Sequence, residues 1–122
     1  MKTFVILGAL LGGLSVAFGA FGAHALRNQL EPRMLEVFET AVRYQMYHAL
    51  ALFAASWIYA QTQAPAAQVA GWAFVAGILL FSGSLYVMTF TGIRALGMVT
   101  PIGGLAFLAG WGALAVAAMK LR

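Results

Sequence analysis

Cysteine and aspartate are both missing from this 122-residue chain, and its three carboxylates are glutamates at positions 31, 36 and 39. Without cysteine there is no disulfide, no thiolate nucleophile and no sulfur-ligated metal. Charge of either sign is also scarce, at 8% of residues, where a soluble domain carries roughly 25%. So few charges cannot cover a water-facing surface, and a soluble globular fold is excluded. The net charge of +4 does not point to nucleic acid. The basic residues stand singly at the ends of apolar runs, where cations snorkel out of hydrocarbon toward lipid phosphates.

What the chain does have is hydrophobic length. Four runs, 3–23, 44–60, 69–91 and 96–119, contain no Asp, Glu, Lys or Arg. Uncharged apolar stretches of about 18 or more residues read as membrane spans, because ~20 helical residues cross the hydrocarbon core. Four such helices leave no room for a second domain. The expectation is an all-α fold: one integral membrane domain over 1–122, built as a four-helix transmembrane bundle. Its spans fall at about 3–24, 43–61, 68–91 and 96–119. The first run begins after Lys2 like a signal peptide. It is longer than the roughly 7–15 residues of an h-region and is expected to be retained as a packed helix.

Small residues are spaced for helix packing. In the first run Gly8, Gly12, Ser15, Gly19 and Gly22 step by four and three, so all share one helix face. In the fourth run Gly103, Ala106, Gly110, Ala113 and Ala117 do the same. Such stripes let neighbouring backbones approach closely in lipid. Thr100-Pro101 followed by Gly103-Gly104 is expected to kink the last helix.

The polar stretch 27–43 separates the first two runs. Pro32 suits a first helical turn. Beyond it Leu35, Phe38 and Val42 share one face, while Glu36, Thr40 and Arg43 share another. This predicts a short amphipathic helix on the membrane surface that leads into the second span. Glu39 and Arg43 form an i,i+4 pair in the favoured order.

The candidate polar site lies at the mouth of the first hairpin: His24, Glu39, Arg43, Tyr44, Gln45, Tyr47 and His48. His24 closes the first run and the others open the second, so the two imidazoles are expected at similar depth. Ionisable groups at membrane depth are costly and often functional. The plainer reading is a set of interfacial anchors. Two histidines could also ligate a haem iron between helices, although no motif supports it. Size and span number are similar to those of small multidrug-resistance transporters, but the carboxylate that couples protons inside their first span is lacking here. No spacing ties Ser56, Ser82 or Ser84 to His48 as a nucleophile–base pair. No enzyme activity, metal or cofactor is therefore expected.

Four segments carry a family resemblance: GAFGAHAL at 19–26, TAVRYQMYHAL at 40–50, FSGSLY at 81–86 and TPIGG at 100–104. Together they resemble the YgdD-like family of small bacterial inner-membrane proteins, to which animal transmembrane protein 256 is similar. The resemblance spans the whole chain. It implies a multi-pass inner-membrane protein and brings neither a function nor catalytic residues. The leading expectation is a non-enzymatic structural, subunit or assembly role. Its partners would be the lipid bilayer and either further copies of itself or a membrane complex. A small transporter or channel comes second and a haem-bearing redox protein third.

Orientation follows from loop charge. Lys2, Lys120 and Arg122 lie on one side, and Arg27, Arg33, Arg43 and Arg94 on the other. Three against four is nearly balanced, so insertion should be easily inverted. Reporter fusions at both termini should show mixed or shifted topology in an Arg27→Ala/Arg33→Ala variant. One unchanged orientation would mean that something other than loop charge sets it.

Overall fold

The computed structural model describes residues 2–122, folded as four helical rods joined by short turns. The first, α1, spans Lys2–Leu26. It is α-helical over Lys2–Phe21 and ends in a π-helical turn, Gly22–Leu26. The second, α2, is one unbroken α-helix, Pro32–Thr62. The third, α3, spans Pro65–Thr91, with a π-helical turn at Ile78–Ser82 inside it. The last, α4, spans Arg94–Ala118. It opens with a 3₁₀ turn, Arg94–Met98, and is α-helical over Thr100–Ala118.

The rod ends follow from local chemistry. Proline occupies the first turn of α2, of α3 and of the α-helical part of α4, where its missing N–H costs nothing. Pro101 therefore sits in the first α-helical turn of α4, where the rod passes from 3₁₀ to α-helix. Gly92 ends α3 in the left-handed region at φ 70°, its N–H donating to the Met88 carbonyl. Gln63 takes the same role after α2 at φ 55°, leaving only a two-residue turn before α3.

The rods pack as an antiparallel series. Gly8 lies against Ala49, and Gly22 against Phe38, so α1 runs down the length of α2. A Cβ on Gly8 would come within 2.9 Å of the Ala49 carbonyl oxygen, and one on Gly22 within 2.9 Å of the Phe38 ring. Gly19 and Gly12 sit more loosely on the same face, at 3.6 Å from Val42 and 3.9 Å from Ala49 and Met46. Ser15 is buried and donates to the Leu11 carbonyl within α1. On the other side α4 packs against α3. A Cβ on Gly103 would fall inside the backbone of Phe81, and one on Gly110 would reach the Phe74 ring at 2.6 Å. Ala117 is fully buried, and Ala106 and Ala113 are half-buried. Gly77 of α3 answers across the seam, accommodating the Phe107 ring.

The stretch before the second apolar run is helical and continuous with the second rod, as the sequence suggested. It forms the first turns of α2, and Phe38 and Ala41 point into the bundle. Glu36 and Arg43 stay exposed. The amphipathic pattern is satisfied by the neighbouring helices: Phe38 packs its ring on Tyr86 and Phe90 of α3.

Three rods, α1, α3 and α4, are long and apolar enough to cross a membrane; α2 falls short on apolarity. Its polar residues Gln45, His48 and Ser56 lie buried within the bundle. In α2 the buried positions Phe38, Ala41, Gln45, His48, Leu52 and Ala55 step by three and four, forming a single inward stripe that faces α1, α3 and α4.

The seams can be tested residue by residue. Gly103→Ala should destabilise the bundle by about 1–3 kcal/mol, because backbone on the α3 side cannot yield. Gly13→Ala should be neutral, since nothing lies within 4 Å of its added methyl. Thermal unfolding in detergent measures both, and equal melting of the two variants would refute the close α3–α4 approach.

Candidate functional site

The polar residues expected at the hairpin mouth do not form one cluster. The structure divides them into four groups at different positions. Glu39 and Arg43 lie on the outer face of α2, with a 4.0 Å ion pair and both side chains about half exposed. Arg43 also donates to the Thr40 hydroxyl at 3.2 Å. An exposed pair of this kind adds little stability.

His24 belongs to the π-helical turn that ends α1 and is exposed. It does not meet His48. Gly22 is level with Phe38 on α2, and His48 is ten residues further along, or about 15 Å at 1.5 Å per residue. The sequence expectation began the second span at about position 43, on a helix already opened by Pro32, and set residues 44–48 beside the end of α1. Met46 and Ala49 lie instead level with Gly12 and Gly8, well inside that rod.

Gln45 is buried between α1 and α3. Its Nε2 donates to the Leu11 carbonyl at 2.8 Å, and its Oε1 accepts from the Tyr86 hydroxyl at 2.6 Å. The Tyr86 ring is held in turn by Phe18 of α1 and Phe38 of α2. One side chain of α2 thus joins the two flanking rods. One turn away, the fully buried Ser82 hydroxyl donates to the Ala41 carbonyl at 2.8 Å. Ser82 closes the π-helical turn of α3, a geometry that recurs where a helix re-aims a side chain.

His48 faces the opposite way, toward α4. Its Nε2 receives the Trp111 indole N–H at 3.0 Å, and its Nδ1 lies 2.7 Å from the Tyr44 carbonyl. Indole is only a donor and a carbonyl only an acceptor. The imidazole is therefore neutral, with its proton on Nδ1. Its ring stacks on Phe107, with centroids 3.5 Å apart and planes 7° from parallel. Tyr44 lies 4.7 Å from Phe81, and Trp111 packs edge-on against Phe74 at 5.0 Å. Phe107 is the hub of this aromatic group and fits into the space that Gly77 leaves.

A fourth polar contact links α3 to α4: the Ser84 and Thr100 hydroxyls lie 2.6 Å apart. Among the described residues no buried side-chain polar atom lacks a partner. Nor does any group of three or more His, Cys, Asp or Glu stand close enough to hold a metal ion.

Beside His48 an open groove of about 460 Å³ runs between α2 and α4, lined by Tyr44, Tyr47, His48, Phe81, Gly104, Phe107, Leu108 and Trp111. Sequence reasoning named Tyr44, Tyr47, Gln45 and His48 but missed Tyr86, Phe107 and Trp111. Trp111 did carry a signal. It lies within the last apolar run, although Trp in membrane helices concentrates at the interfaces.

Comparison with known proteins matches residues 18–104 to a family described as "Protein of unknown function (DUF423)". The chain is 46% identical to the UPF0382 membrane protein YwdK of Bacillus subtilis over 121 residues, covering 98% of each chain. It is 48% identical to a UPF0382 membrane protein of Staphylococcus haemolyticus over 120 residues, again covering 98% of each. No solved structure matches it.

The two interior bridges should be separable. Gln45→Leu should cost about 1 kcal/mol, since hydrogen bonds between membrane helices average about 0.6 kcal/mol and reach about 1.7 kcal/mol. Some of that cost is the orphaned Tyr86 hydroxyl, so Gln45→Leu/Tyr86→Phe should recover part of it. Detergent melting of the single and double variants tests this. Additive losses would mean that the two side chains are not coupled.

Proposed function

We propose that this chain, which belongs to the DUF423 family of proteins of unknown function, is a non-enzymatic packing subunit or assembly partner that crosses the bacterial inner membrane four times. Three rods already meet the requirements of length and apolarity for a span. α2 makes the fourth crossing because its buried side chains Gln45 and His48 are bonded to the other three rods and need no water. A helical bundle fits the inner membrane, since the outer one is crossed by β-barrels. The motifs at 19–26 and 40–50 are the ground for reading the chain as YgdD-like, with transmembrane protein 256 as its animal counterpart.

The observation that carries the reading is how the interior polar groups are used. Gln45, Ser82, Tyr86, Ser84, Thr100, His48 and Trp111 each take part in a hydrogen bond between rods. None remains as a reactive pair. Proton-coupled transport lacks its carboxylate, because all three glutamates lie in the short connection before α2 or on its first two turns. Haem ligation is opposed by His48, whose two nitrogens are both engaged, and by the distance to His24.

The test is the composition of the particle released from native membranes with its surrounding lipid. Several protein chains per particle, as further copies or other membrane proteins in fixed ratio, are expected. A particle holding one copy and lipid alone would overturn the proposal.

A further inference from the structure

We infer that the groove between α2 and α4 is a binding site for a neutral, planar, lipid-soluble molecule bearing hydrogen-bonding oxygens, of the quinone class. The inference goes beyond the subunit role and rests on two tyrosines. Tyr44 and Tyr47 line the groove, are 38% and 51% exposed, and have no hydrogen-bond partner for either hydroxyl among the described residues.

Depth makes that absence costly. Met46 is level with Gly12 of α1. Gly12 is ten residues from Lys2 and fourteen from Leu26, or about 15 and 21 Å from the two ends of the rod. Tyr47 is therefore near the middle of the hydrocarbon, further from either surface than its side chain can reach. A hydroxyl without a partner there costs several kcal/mol. An acyl chain offers it no acceptor. Phenylalanine would fill the same space without the penalty. The groove calls for an occupant that carries oxygen to mid-depth.

The walls narrow the chemistry. Tyr44, Phe81, Phe107 and Trp111 present rings, which favour a flat partner. Gly104 leaves one wall without a side chain, open to close approach by a ring. The volume of about 460 Å³ lies within the range of small-molecule sites. Membrane depth disfavours an ionic ligand. His48 and Trp111 are bonded to each other, so the two tyrosines are the free donors, and a quinone carbonyl is an acceptor that suits them.

The test uses the full chain in lipid nanodiscs with Trp57→Phe and Trp72→Phe, so that Trp111 is the sole emitter. The probe is a short-chain ubiquinone, which quenches indole fluorescence. Saturable quenching is expected. Tyr44→Phe with Tyr47→Phe keeps the ring volume and should weaken binding at least tenfold without lowering the melting temperature. Gly104→Leu should abolish it by filling the groove, since a Cβ there meets only Phe81, at 4.0 Å. Linear, unsaturable quenching, equal in all variants, would overturn the inference. So would saturable binding unaffected by the tyrosine pair, which would mark a site for acyl chains. Conversion of a dimer to a monomer by the tyrosine pair would also overturn it, since a second copy would then be the natural occupant.

Discussion

Everything in this fold depends on α2 finding partners for its polar atoms. In water a buried amide or imidazole competes with solvent that is always near. In hydrocarbon no such solvent exists, and an unmet donor or acceptor costs several kcal/mol. α2 is less apolar than the other three rods and carries Gln45 and His48 on its inward stripe. Gln45 reaches α1 and accepts from α3, while His48 accepts from α4. These bonds fix both the rotation of α2 and the identity of its neighbours. A rotation that turned the stripe outward would break all three of these bonds.

Close backbone approach supplies the second constraint. Lipid tails are as apolar as leucine, so helices gain by packing density rather than by burial from water. Glycines at 8 and 22 bring α1 onto α2, and glycines at 77, 103 and 110 bring α3 and α4 together. The two devices are linked at Phe107. Its ring occupies the space that Gly77 leaves and lies flat on His48, so the tight seam also holds the imidazole that the indole bonds. The π-helical turn in α3 serves the same junction. It aims Ser82 at α2, and two residues later Ser84 meets Thr100 of α4.

This arrangement explains why so polar an interior suggests so little chemistry. Catalytic groups need freedom to exchange protons or bonds with a substrate. Here Gln45, His48, Ser82 and Ser84 each hold another helix, while Ser15 and Thr89 bond back to their own. The polar atoms left unengaged at depth face outward, on the tyrosines beside the α2–α4 groove.

The sequence by itself determined the class: an all-α membrane protein with four uncharged apolar runs, helix ends marked by Pro32, Pro65 and Gly92, and small-residue faces on α1 and α4. These features are local, set by composition, proline and glycine geometry, and a period of 3.6. It also singled out residues 44–48 as unusual. What only the tertiary structure decided was depth and partnership. The sequence reading grouped His24, Arg43 and His48 because all lie near a turn, but α2 begins at Pro32, eleven residues before position 43, so His48 lies about 15 Å along α2 from the level of Gly22. The bonds of Gln45 and His48 reach across 34 to 63 positions. No periodicity within one helix records which carbonyl or indole a side chain meets on another, because that depends on how the seams set the rotation and offset of all four rods.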